Sequence, residues 1–101
     1  MLLRPKKSLG QNFLHDENII NKIINASNIS PDDQVLEIGP GTGNLTKFII
    51  SQKPKKIYVV EKDSSLAGEL DRKYYNKINV IKKDILKIPN EFYSRKKFLI
   101  L

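Results

Sequence analysis

Isoleucines at positions 19, 20, 23 and 24 recur with the spacing of one helix face, which predicts an amphipathic helix over 18–27 with Asp16 placed to cap it. Ahead of it, Met1 to Leu14 shows no clear period and carries Pro5 and Gly10, so it reads as an extended arm. Ser30-Pro31-Asp32-Asp33 is a polar turn, and Val35 to Ile38 after it has the short apolar pattern of a buried strand. Leu45, Phe48, Ile49 and Ile50 return to helical spacing and predict a helix over 42–51, which Pro54 ends. A second strand follows over 56–60. Leu66, Ala67, Leu70 and Tyr74 share one face of a third helix over 64–75, capped by Asp63 or Ser64. Ile78 to Ile81 is a third short strand, and Phe98-Leu99-Ile100-Leu101 begins another. Strands that alternate with helices need crossover connections, so the fold class is α/β, with a parallel sheet covered on both faces.

Composition narrows this picture. With 101 residues, 40% of them hydrophobic, the chain supports one modest core and no second domain. The absence of cysteine excludes disulfides and thiolate metal sites, and the single histidine, His15, leaves no basis for a histidine-built metal centre. No run approaches the roughly 18 apolar residues of a membrane span, and residues 1–7 lack the apolar core of a secretory signal, so the expectation is a cytoplasmic monomer with no membrane partner. Eighteen Lys and Arg against eleven Asp and Glu give a net charge of +7, which favours a polyanionic partner, nucleic acid first. The cations gather at Arg4/Lys6/Lys7, Lys53/Lys55/Lys56, Lys82/Lys83/Lys87 and Arg95/Lys96/Lys97. Each cluster alone is also what a solvated edge looks like.

The candidate chemistry lies in Val35-Leu36-Glu37-Ile38-Gly39-Pro40-Gly41-Thr42-Gly43, where an apolar run flows into an acid and three alternate glycines. Glycines there permit a tight strand-to-helix turn and let the backbone come closer to a ligand than a side chain would allow. Glu61 ends the next apolar run, where such folds set a carboxylate against ribose hydroxyls. A dinucleotide fingerprint needs glycine at position 44, which is Asn44, and no Gly-Lys-Ser/Thr triplet follows. The Glu-x-Gly-x-Gly-x-Gly spacing suits S-adenosyl-L-methionine, which has no phosphate to cradle. A turn that merely reverses the chain would need neither three glycines nor a matching acid.

Lys6-Lys7-Ser8-Leu9-Gly10-Gln11-Asn12-Phe13-Leu14 followed by Val35 through Thr46 resembles the ribosomal RNA adenine dimethyltransferase family, and Val60-Glu61-Lys62-Asp63 and Lys83-Asp84-Ile85-Leu86 are similar to two further landmarks of it. Leu9-Gly10 and Pro40 look more like its small-subunit branch than like the large-subunit resistance methylases. The resemblance implies a Rossmann-like S-adenosylmethionine-dependent methyltransferase fold truncated after the first three to four strands. Residues 1–17 would be a cofactor-covering arm and 18–101 the N-terminal half of the catalytic domain, with the remainder and a C-terminal helical domain absent. It implies dimethylation of adjacent adenosines in small-subunit ribosomal RNA, with ribosomal RNA or a small-subunit precursor as partner.

By the same resemblance Gln11, Asn12 and Leu14 would close over the cofactor, Gly39 and Gly41 would lie beside its methionine portion, and Glu61 would accept from both ribose hydroxyls. Asp84 would take the adenine amine, with Ile85 against the ring. Structural readings stand beside these: Asn12 as a loop brace, Asp84 as a strand end, and His15 as a surface residue at a helix entry. The family's catalytic Asn-x-Pro-Tyr-type segment would follow the strand that begins at Phe98, so no catalytic residue is assigned within residues 1–101, and the piece alone would be inactive. A non-catalytic RNA-binding assembly factor is the other class that fits the cofactor fold. The arm motif and the basic charge argue against a small-molecule methyltransferase, and the glycine spacing against a nicotinamide enzyme.

Overall fold

In the computed structural model, which describes residues 16–94 and 98–101, Asp16 opens the first helix. Its carboxylate accepts the amide hydrogens of Asn18 at 2.9 Å and Ile19 at 3.4 Å, satisfying donors that a helix start leaves free. Helix α1, Glu17–Ser27, buries Ile20 and Ile24 and ends at Asn28, whose left-handed backbone (φ 50°) stops it. The polar turn closes on itself through Ser30 N–H to Asp33 Oδ2 at 2.8 Å. Strand β1 is Gln34–Ile38, α2 Asn44–Ser51, β2 Lys56–Val60, α3 Ser64–Lys73 and β3 Asn79–Ile81. A 3-10 turn, Ile85–Lys87, and a short helix α4, Asn90–Ser94, lead to β4, Phe98–Ile100.

Three expected starts move by one residue, to Glu17, Gln34 and Asn79, and two boundaries shift by two residues for local reasons. Helix α2 starts at Asn44 rather than 42, because Gly43 has φ 88° and serves as its N-cap. Helix α3 stops at Lys73, with Tyr74 at φ −116° as its C-cap, two residues short of the expected end. The 3-10 turn and α4 are additions to the expected elements.

The four strands are all parallel in the order β3-β2-β1-β4. The path steps outward from β1 to β2 to β3, then returns across β1 to place β4 on its far side. Right-handed crossovers running in opposite directions put their connections on opposite faces. The apolar contacts agree with that rule. On the first face Val35, Ile57 and Val59 pack with Ile20, Ile24, Leu45, Ile49, Leu70 and Ile78, under α1, α2 and α3. On the second face Leu36, Val60 and Ile88 form a smaller cluster with Tyr58, Ile85, Phe92 and Phe98 against it. Phe92 stacks on Phe98 at 5.3 Å and meets Tyr58 edge-on at 6.0 Å, which holds α4 to the sheet. Ile38 and Ile100, on that second face, stay 39% and 52% exposed. No helix among the described residues is long and apolar enough to cross a membrane.

Candidate cofactor site at the strand ends

The strand order reverses direction between β1 and β4, and in open α/β sheets the crevice beyond the carboxyl end of such a point is where ligands bind. The glycine loop leaves β1 there. Gly39 N–H donates to the Val60 carbonyl at 2.9 Å, so the loop starts pinned to the end of β2. Gly39, Gly41 and Gly43 all have positive φ, of 65°, 60° and 88°, which L side chains rarely adopt.

These glycines divide into two kinds. A Cβ on Gly39 or Gly41 would meet no heavy atom within 4 Å, so both face open space beside the strand ends. A Cβ on Gly43 would stand 2.7 Å from Leu70 Cδ2 and 3.2 Å from Tyr74 Cε2. Gly43 is therefore a packing glycine that lets α3 approach the loop, and Tyr74 Oη donates to its carbonyl at 3.4 Å.

Glu61 lies immediately past β2, 7% exposed. Its Oε1 accepts the Gly41 N–H at 3.3 Å and its Oε2 the Asp63 N–H at 3.0 Å. The acid thus clamps the glycine loop to the turn that opens α3, where the Asp63 side chain caps the helix through Leu66 N–H at 3.1 Å. A carboxylate has about four acceptor sites. Two backbone donors leave it capacity for hydroxyls of a ligand.

Asp84 is half-buried beyond β3 and caps the 3-10 turn, its Oδ1 accepting Leu86 N–H at 2.9 Å. Among the described residues no donor is recorded on its Oδ2. Ile85, also half-buried, packs against the Leu36, Val60 and Ile88 cluster. Gly39, Gly41, Glu61, Asp84 and Ile85 therefore share the carboxyl end of the sheet, on the loops after β1, β2 and β3. Gln11, Asn12, Leu14 and His15 lie outside the described residues.

One acid at this end was not assigned a role from the sequence. Glu37 sits in β1 on the face of Val35, under α2, and is 3% exposed. The Thr46 hydroxyl, fully buried in the first turn of α2, donates to its Oε1 in a short hydrogen bond. Burial pushes the Glu37 carboxyl up from 4.5 to about 7, and the Thr46 hydrogen bond opposes part of that rise. The period-2 alternation through Val35 and Glu37 carried the signal for its burial.

S-adenosyl-L-methionine is tested against this geometry by shape and by donor chemistry. The open sides of Gly39 and Gly41 leave the backbone approachable, and the Glu61 carboxylate stands one loop away with acceptor capacity left. The residues present fit the group.

Comparison with known proteins bears on the same residues. A family model described as ribosomal RNA adenine dimethylase matches residues 3–100. The chain is 48% identical over 100 residues to ribosomal RNA small subunit methyltransferase A of Pelagibacter ubique, covering 99% of this chain and 38% of that protein. It is 52% identical over 86 residues to the protein of that name from Chlorobium limicola, covering 85% and 32%. Among solved structures, a dimethyladenosine transferase from Plasmodium falciparum superposes with a TM-score of 0.67 at 36% identity, over 73% of this chain and 28% of that one. The 23S rRNA methyltransferase ErmE gives 0.66 at 32% identity, over 72% and 30%. The chain thus spans about a third of the length of these relatives. The glycine loop at the strand-order reversal and the acid that ends the next strand lie inside the matched span, and the chain belongs to the ribosomal RNA adenine dimethylase family.

Proposed function

We propose that this chain carries the cofactor-binding part of an S-adenosyl-L-methionine-dependent enzyme that dimethylates adjacent adenosines of small-subunit ribosomal RNA, working in the cytoplasm. The observation that carries the reading is the Glu61 clamp beside two open glycines, because it joins a buried acceptor to approachable backbone at one strand end. The curated relatives' names favour the small ribosomal subunit over the large one.

In this reading the Gly39 and Gly41 backbone lies along the methionine portion, Glu61 accepts from the two ribose hydroxyls, Asp84 Oδ2 accepts from the adenine amine, and Ile85 supplies an apolar side to the ring. Gln11, Asn12 and Leu14 close the arm over it. The cofactor, when bound, supplies an electrophilic methyl group. Among the described residues the two buried acids bind or pack rather than move a proton: Glu61 is held as an acceptor by two amides, and Glu37 is sealed beneath α2. Residues 1–17 would form the covering arm and 18–101 the cofactor half of the catalytic domain. The base to be methylated would be held by an Asn-x-Pro-Tyr-type segment, a sequence that does not occur in residues 1–101.

Titration calorimetry with S-adenosylhomocysteine, with Glu61→Ala as control and circular dichroism on both, tests the cofactor reading. Saturable one-to-one binding lost in the folded variant supports it, and absence of binding by the folded wild type overturns it. Transfer of labelled methyl groups to small-subunit against large-subunit ribosomal RNA then tests the substrate.

A further inference from the structure

Beyond the cofactor residues, the loops after β2 and β3 converge on a groove lined by Lys62, Lys82, Lys83, Asp84 and Lys87. All four lysines are exposed. The three acids of the same loops each accept backbone amides rather than lysine ammonium groups: Glu61 from Gly41 and Asp63, Asp63 from Leu66, and Asp84 from Leu86. Among the described residues none of the four ammonium groups is held in an ion pair. The groove therefore presents four ammonium groups outside ion pairs beside three carboxylates that keep their charge, so its cations outnumber its acids by one and reach solvent unclamped. Leu86, between two lining residues, is 89% exposed and gives the rim an apolar surface.

Its position matters as much as its charge. The Lys53, Lys55 and Lys56 cluster is as dense in sequence, but it lies at the start of β2, where the Lys55 N–H donates to the Asp33 carbonyl at the opposite end of the sheet. Lys62, Lys82, Lys83 and Lys87 lie at the end that carries the glycine loop and Glu61. Four cations spread along two adjacent loops match a row of phosphates better than a single anion, which would draw them onto one point.

We propose that this groove is a docking surface for the phosphodiester backbone of the RNA substrate, tracking it past the ribose and adenine side of the cofactor site. The proposal rests on the ribosomal RNA reading above, and it adds which surface of this chain the backbone crosses.

The test measures affinity of the full-length chain for a short hairpin RNA with two adjacent adenosines in its loop, as a function of salt, for wild type, K62Q/K82Q/K83Q/K87Q and the control K53Q/K55Q/K56Q. Each lost phosphate contact lowers the slope of log affinity against log salt by roughly 0.7 to 0.9. The groove variant is expected to lose about 3 to 3.5 in slope and at least about tenfold in affinity near physiological salt, with the control within about twofold of wild type. Equal losses in the two variants, or none in the groove variant, overturn the proposal. Should the groove variant fail to fold, lysine acetylation of the wild type in the presence and absence of the RNA replaces it. Protection confined to Lys62, Lys82, Lys83 and Lys87 supports the proposal, and protection equal to that at Lys53, Lys55 and Lys56 overturns it. S-adenosylhomocysteine titration of the same samples separates the two readings, since a groove without RNA contact leaves cofactor binding intact, and a chain without cofactor binding leaves the RNA salt slope readable.

Discussion

Glu37 and Glu61 are both buried acids near the carboxyl ends of neighbouring parallel strands, and they differ in what donates to them. Glu37 alternates with Leu36 along β1, so the strand's own periodicity drives it under α2, where among the described residues the Thr46 hydroxyl alone donates to it. Glu61 comes one residue after β2, where the chain turns away and two backbone N–H groups point at the carboxylate. The first arrangement favours a proton on the acid, since burial penalises its charge and one hydroxyl offsets only part of that penalty. The second builds a fixed acceptor, held by main-chain donors rather than by side chains. A single residue's displacement past the strand end thus separates an acid that packs from one suited to hold a ligand.

The largest expected effect breaks the comparison on the Glu61 side. Two hydrogen bonds to a charged acceptor contribute roughly 1.5–3 kcal/mol each, so Glu61→Ala should weaken S-adenosylhomocysteine binding by about 10²-fold or more. Glu61→Gln should fall between, because its carbonyl can keep one amide donor while its NH₂ group opposes the other. Calorimetric dissociation constants for the three proteins check this ordering, and equal values for wild type and Glu61→Ala would remove Glu61 from the site.

On the Glu37 side the readout is stability against pH. A folded-state value near 7 against 4.5 means that the native chain binds more protons than the unfolded chain between those limits. Stability from this group is therefore full below about pH 4.5, is lost as pH rises through about 7, and is flat above that, a total of about 3 kcal/mol. Denaturant midpoints of wild type and Glu37→Gln, measured from pH 4.5 to 8.5, should diverge with this sign, the variant lacking the decline. Thr46→Val should extend the decline to higher pH, because it removes the one hydrogen bond that lowers the Glu37 value.

Between the two acids runs the glycine loop, where a smaller effect is expected. Gly43→Ala meets both a left-handed backbone and the Leu70 and Tyr74 side chains, and should cost about 2 kcal/mol of stability. Gly39→Ala meets only the backbone term, about 1 kcal/mol, but fills space that a ligand would use. The two variants should therefore rank in opposite orders by thermal denaturation and by S-adenosylhomocysteine affinity. The same order in both assays would mean that Gly39, like Gly43, serves the fold rather than the ligand.

Local pattern made much of this legible, and long-range contact hid the rest. Strands β1 and β2 and the three longer helices follow from apolar spacing, and Asp16 and Asp63 cap as their sequence positions require. The 3-10 turn and α4 escape such reading because three and five residues are too few to show a period. What holds α4 is Phe92 against Tyr58 and Phe98, contacts that no local window contains. Glu61 stands out in sequence because it ends an apolar run. The distinction between Gly43 and the other two glycines depends on Leu70 and Tyr74, a helix away, and the gathering of Lys62 with Lys82, Lys83 and Lys87 depends on strand order.

The smallest predicted effect is also the cleanest separation of fold from site, and it lies at Asp63. Its side chain caps α3 through Leu66 N–H, whereas its backbone N–H donates to Glu61, so one residue serves both purposes through different atoms. Asp63→Ala deletes the cap and keeps the amide, and should cost about 1 kcal/mol of stability with little change in S-adenosylhomocysteine affinity. Asp63→Pro deletes both. Its φ of −78° is within proline's range, so the backbone stays compatible and the additional loss relative to alanine is the missing donor to Glu61 Oε2. If the clamp orients the acid, the proline variant binds S-adenosylhomocysteine several-fold more weakly than the alanine variant at similar stability. If the two bind alike, Glu61 is held well enough by Gly41 alone, and the clamp reduces to a single hydrogen bond from the glycine loop.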